Sequence, residues 1–390
     1  MAYIEVNGKV LEWARNEAQM SQAEAAEALG LKPDELISYE RGQLKPTLGV
    51  LRQMSAKYRL PVATLAMPEP FPRSKLPKDF RTFEGREPRV TPATAFAVRE
   101  ARRLQEGMQQ LLAEDEDLAI PYTLPDVRRN ILVAELATQE RERLAVSVDT
   151  QLGWTNDGQA FRYWRDRIES LGIFVYMLEM PTDDCRGFTL REGENPVIVV
   201  SKEEKLDAAK TFTLLHEYCH IRRSETALSD LGWNPVEKYC NNFAAYVLMP
   251  EKALRRVLSL PQRPEVVDWE IGDIKSAARQ LHVSQQALAL RLENAGYAED
   301  GFFEYVKSLQ RVPEKKKKTK PSKGGVPPHV VRLAELGARY TGTVMAAYER
   351  GTLNDLEAYR MLDLAPKHFG KLRDRIGPRT AANAATKDLF

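Results

Sequence analysis

The chain lacks any stretch approaching 18 consecutive apolar residues in its 390, so no segment is expected to span a membrane. Its first residues, MAYIEVNGKVLEWARNEAQ, scatter charges where a secretory signal would carry an apolar run, so no signal peptide is expected. Cysteine is scarce, with Cys185, Cys219 and Cys240 the only three. An odd set without C-x-x-C spacing argues against a disulfide framework and against a zinc knuckle, and fits a reducing, cytoplasmic compartment. Charge of one sign is missing too: 57 Lys and Arg face 55 Asp and Glu, for a net charge of +2. That balance gives no global electrostatic case for nucleic acid, so such a claim must rest on local features. No fixed-period repeat is present.

What is there is enough for several cores. An apolar fraction of 43% over 390 residues predicts two or three globular domains. Residues 8–66 read as helical, and the proline-rich PEPFPRSKLP at 68–77 reads as a linker. Helical spacing resumes from Thr91 to about Leu144. Ile173-Phe174-Val175-Tyr176 and Val197-Ile198-Val199-Val200 are β-branched or aromatic runs that predict strands, with Gly187-Phe188-Thr189-Leu190 a third candidate between them. Helical periodicity returns at Leu206 and runs to about Tyr305. RVPEKKKKTKPSKGG at 311–325 carries too little apolar surface to offset its ordering entropy and reads as a solvated linker, ahead of a last helical segment at 326–376.

The sharpest chemistry lies in TFTLLHEYCHIRR, where His216 and His220 stand four residues apart. On a helix that spacing stacks both imidazoles on one face, where they can meet one ion. Glu217, next to the first histidine, can face the open coordination position and pass a proton from an activated water to a leaving amine. With five histidines in the chain, random placement would produce H-E-x-x-H in about one such sequence in 200. A mononuclear zinc site needs a third ligand. His282, His329 and His368 lie in distant, dissimilar segments, which leaves the downstream carboxylates Glu225, Asp230 and Glu237. Glu237 is the choice by geometry: it opens a second helix, VEKYCNNFAAYVLMP, and Asn241 and Ala245 follow it at four-residue steps along one face. Glu225 stands too close in sequence to turn back. Cys219 and Cys240 read as core-packing residues.

These residues resemble the ImmA/IrrE family of metallopeptidases. The resemblance is carried by Arg186-Gly187-Phe188, the strand PVIVVS ending at Ser201, FTLLHEYCH, and E-x-x-C-N-x-F-A-A-x-x-L-M-P at 237–250. It implies that His216, His220 and Glu237 bind Zn2+ and that Glu217 is the catalytic acid and base. It further implies a zincin-like core in which a small mixed sheet lies beside helices, and a protein substrate or partner such as a repressor-like regulator or a toxin. LPKDFRTF at 76–83 looks like the subgroup with an N-terminal Xre-like module.

That module is legible in its own right. Ser21-Gln22-Ala23-Glu24 is a capping box, Gly30 suits a sharp turn, and Asp34–Arg41 would be the recognition helix of an Xre-type helix-turn-helix. Lys32, Ser38 and Arg41 are the candidate DNA contacts. Asp34 and Glu35 would oppose phosphates, and residues 1–60 hold as many acidic as basic side chains. DNA binding and protein docking or homodimerisation therefore stand as alternatives. A second helix-turn-helix rhythm at 271–297 reads as a helical wall of the peptidase groove.

The expected fold is α+β and mostly helical. It comprises an all-α helix-turn-helix domain at 1–67, a linker at 68–90, a zincin-like domain with a helical lead-in at 91–310, a basic linker at 311–325 and a C-terminal helical segment at 326–390. Two functions compete: a zinc-dependent regulatory endopeptidase, and an antitoxin-like or transcription-regulating binding protein whose zincin fold is not used for proteolysis.

Overall fold

The computed structural model describes residues 3–72, 90–119, 121–122, 124–125, 127–128, 130–223, 235–309 and 325–376. The expectations for 76–83, for the lysine run before Gly325 and for Glu225 and Asp230 fall outside the described residues. The fold is α+β and mostly helical, as expected. No helix among the described residues is long and apolar enough to cross a membrane. The chain divides into two compact units, Met1–Arg102 with Glu179–Cys185, and Arg103–Leu178 with Arg186–Phe390.

In the first unit, α1 (Gly8–Glu17), α2 (Gln22–Leu29), α3 (Pro33–Glu40), α4 (Leu48–Tyr58) and α5 (Val62–Leu65) close over Leu11, Ala14, Ala26, Leu36, Leu51 and Met54. The expected capping box is present at Ser21 and Glu24, and Gly30 ends α2 in the left-handed region at φ +68°. A buried ion pair, Arg15 Nε to Glu40 Oε1 at 2.6 Å, ties α1 to the end of α3. The unit also holds the start of α6 (Pro92–Glu114), where Asp184 accepts from the Thr91 backbone N–H and from the hydroxyls of Thr91 and Thr94. An anionic cap suits the N-terminus of a helix dipole.

The second unit contains the sheet. β1 (Phe174–Leu178) runs parallel to β3 (Val197–Ser201), and β2 (Gly187–Leu190) pairs antiparallel on the other side of β3. All three predicted strands form, and the sheet is mixed as expected. Around it lie α7 (Val133–Arg143), α8 (Val148–Leu152), α9 (Asp157–Glu169), α10 (Asp207–Arg223), α11 (Pro235–Leu248), α12 (Glu251–Val257), α13 (Ile271–Leu281), α14 (Gln285–Asn294) and α15 (Phe302–Leu309). Two helical expectations need correction. The stretch expected to be helical to Leu144 breaks between Leu118 and Val133, where Pro121 and Pro125 supply no N–H, and the stretch to Tyr305 breaks between Val257 and Ile271 around Pro261 and Pro264. The segment at 271–297 forms α13 and α14, whose buried Leu281, Leu288 and Leu292 join the main core.

The C-terminal segment, α16 (Pro328–Arg350), α17 (Asp355–Leu362) and α18 (Phe369–Ile376), is part of this unit, with α16 packed on β1 and α9. Tyr340 meets Phe174 and Tyr176 edge-on, at 6.1 and 5.5 Å between ring centres. Gly337 breaks α16 at φ +85°, ψ 161°. The break makes room for a buried ion pair: Arg165 Nε donates to Glu169 Oε1 at 2.9 Å, and Glu169 Oε2 accepts the Arg339 backbone N–H at 3.0 Å. A Cβ on Gly337 would stand 2.0 Å from Glu169 Oε1.

Gly337→Ala is therefore expected to lower stability by at least about 2 kcal/mol, from positive-φ strain and displacement of a buried carboxylate. Urea denaturation measures it, and an unchanged midpoint would contradict this account of the kink.

Candidate metal centre

Helix α10 is buried along most of its length, lying between the strands β2 and β3 on one side and α11 on the other. Its apolar Leu214, Leu215, Tyr218 and Ile221 enter the main core, which turns the remaining face, with His216 and His220, toward α11. Both imidazoles present Nε2 to the same point: the two atoms are 3.1 Å apart. Glu237, in the first turn of α11, places Oε2 3.2 Å from His216 Nε2 and Oε1 3.2 Å from His220 Nε2. The three donor atoms lie within 4.8 Å of one another, and no other Cys, His, Asp or Glu joins the cluster among the described residues.

The structure thus brings His216, His220 and Glu237 together as the spacing predicted. His216 and Glu217 are fully buried and His220 nearly so, while the Glu237 side chain keeps 29% of its surface exposed. Burial raises the Glu237 carboxyl, but hydrogen bonds from His216 and His220 outweigh it and hold the group well below the usual carboxylate range. Burial lowers the His220 imidazole, but the Cys240 thiol and Glu237 as hydrogen-bond partners and the Glu217 charge outweigh it, raising the ring to about 11. The cluster therefore holds an ionised carboxylate against the two imidazoles. Two imidazole nitrogens and a carboxylate oxygen are a donor set that zinc accepts.

Several supporting residues were not legible in the motifs. Tyr218 O–H donates to Glu140 Oε2 at 2.5 Å and Arg222 Nε donates to Glu140 Oε1 at 3.0 Å, so a carboxylate from α7 holds the back of α10. Arg141 and Gln151 donate to the carbonyls of Val247 and Leu248, satisfying the open C-terminal end of α11. Gly187, quoted in the family motif without a role, packs on the site: a Cβ there would meet Thr213 Cγ2 at 2.6 Å and Glu217 Cγ at 3.1 Å. The two cysteines are buried as expected, but Cys240 also touches His220 and Cys219, so its packing role is at the edge of the centre.

The candidate DNA contacts lie along one helix, α3, and its two caps. Lys32 and Arg41 are exposed at opposite ends of α3, and the Ser38 hydroxyl donates to its own helix at Asp34 O, 2.7 Å away.

Residues 168–293 match the family model of the IrrE N-terminal-like domain, Peptidase_M78, and residues 11–65 match a helix-turn-helix model, HTH_3. Both matches agree with the resemblance to ImmA/IrrE proteins that carry an Xre-type domain. No curated protein and no solved structure matches the chain. The pairing of domains is that of a metallopeptidase-like regulator with a helix-turn-helix module.

Glu140→Ala would leave Arg222 buried without its charge partner and is expected to cost about 3–5 kcal/mol of stability. Chemical denaturation reads this, and a loss below about 1 kcal/mol, the scale of an exposed pair, would show that the α7 carboxylate does not hold α10.

Proposed function

We propose that the chain is a zinc-dependent endopeptidase that cleaves or inactivates a protein partner, such as a transcriptional repressor, in the cytoplasm. The observation that carries this reading is the convergence of three protein donors, and only three among the described residues, beside Glu217. Structural zinc sites are closed by four protein ligands, whereas catalytic ones keep a position for water or substrate. His216 and His220 would hold the ion through Nε2 and Glu237 through its carboxylate. Zinc held there supplies a Lewis acid that polarises a carbonyl and makes water a nucleophile near neutral pH.

The remaining chemistry belongs to the chain. Glu217 takes the proton released as water attacks the peptide carbonyl and delivers it to the nitrogen of the leaving amine. Gly187, with no side chain, lets β2 lie close over the Glu217 side chain. The helix-turn-helix module supplies docking, to DNA through Lys32, Ser38 and Arg41 or to a protein partner.

One observation favours a second reading, in which the fold serves binding alone, as in an antitoxin-like regulator. Glu217 has no exposed surface, so a substrate reaches it only if the site opens.

Glu217→Gln separates the two. Zinc content is expected to stay at the wild-type level while new protein N-termini, mapped in cells expressing either form, appear with wild type and drop by about 100-fold or more in the variant. A regulatory effect that persists at full strength in Glu217→Gln overturns the peptidase reading in favour of binding.

A further inference from the structure

The C-terminal helices carry a cationic face that the metal reading does not use. A short 3-10 turn, Pro366–His368, leads directly into α18. Over residues 366–376 four Lys and Arg stand against one acid, Asp374, and that acid lies 3.9 Å from Arg373. Lys367, Lys371 and Arg375 are exposed, and none has an ion-pair partner among the described residues. Steps of four residues set these three along one side of the helix.

Helix α16 adds to the same face. His329, in its first turn, stacks on His368 with ring centres 6.3 Å apart. Burial, then the positive charges of Lys371, His368 and Arg375, hold the His329 imidazole below its usual range. Its Nδ1 makes no hydrogen bond. Like charges gathered without a counter-charge repel, and an anion from outside relieves that repulsion.

The class of anion follows from what the face lacks. Phe369 and Leu372 of α18 are buried and Ile376 is half-buried, so no apolar anchor on this helix accompanies the charge. Protein interfaces gather around an apolar centre, and helices that lie on membranes insert one. Contacts to a phosphate backbone need neither, because released counterions supply the free energy. The helix-turn-helix module, with balanced charge over residues 1–60, supplies no such footprint itself. We propose that Lys367, Lys371, Arg375 and the stacked pair His329–His368 form a sequence-independent contact for the phosphate backbone of duplex DNA.

The test is the affinity of the full chain for a fluorescent duplex of mixed sequence, measured by anisotropy over a series of salt concentrations. Wild type is compared with Lys371→Ala/Arg375→Ala and with a control that removes two exposed lysines elsewhere, Lys205→Ala/Lys252→Ala. Thermal unfolding and binding to phosphatidylserine vesicles are read alongside. The patch variant is expected to reduce the slope of log K against log salt by about 2, one for each cation removed. The reduction is the same for duplexes of different sequence, the unfolding midpoint is unchanged, and the control keeps the wild-type slope. A wild-type slope in the patch variant overturns the proposal, as does an equal loss in the control or a loss that follows a lowered unfolding midpoint. A wild-type chain that binds no duplex overturns it as well. Vesicle binding lost in the patch variant while its DNA slope stays at the wild-type value reassigns the face to lipid headgroups, against the proposal.

Discussion

The meeting of one carboxylate with two imidazoles is the contact on which the candidate centre depends. Glu237 touches both ring nitrogens from a different helix, so the centre exists only while α10 and α11 keep their separation and register. Much of the surrounding structure serves that requirement. Glu140 grips the back of α10 through Tyr218 and Arg222, and Arg141 and Gln151 grip the far end of α11. Buried charged groups of this kind are costly to assemble and costlier to break singly. Here they set the placement of two helices whose apolar packing alone would tolerate sliding.

The sheet contributes in a second way. β3 is central and buried along its length, and β2 carries Gly187 against Glu217. The acid/base candidate is thus held from both sides, by its own helix and by a strand that comes within side-chain distance because it lacks a side chain. Gly337 solves a similar problem elsewhere in the unit, where α16 opens to seat the Arg165–Glu169 pair and joins the C-terminal helices to the sheet through Tyr340. That seat makes the C-terminal segment part of the unit that holds the candidate centre, where the sequence left it as a separate helical stretch.

Periodicity and local spacing made the centre legible. His216 and His220 are four residues apart, and Glu237 opens the next apolar helix, so helix geometry alone predicts that the three can converge. The strand runs at 173–176, 187–190 and 197–200 and the capping box at Ser21 were equally local. What escaped had no local pattern. Glu140 lies 78 residues from Tyr218 and 82 from Arg222, and Asp184 caps α6 from 93 residues beyond Thr91. Pairings at that range are fixed by tertiary packing and leave no period to detect. The helix breaks around Pro121 and Pro261 had a signal in the prolines themselves, which apolar spacing outweighed in the reading.

Elemental analysis of the purified full chain tests the central claim most directly. The account predicts about one zinc per chain in wild type and loss of that zinc in both His216→Ala and Glu237→Ala. Protein that stays folded yet holds no zinc when zinc is supplied, or that keeps its zinc in either variant, would contradict it.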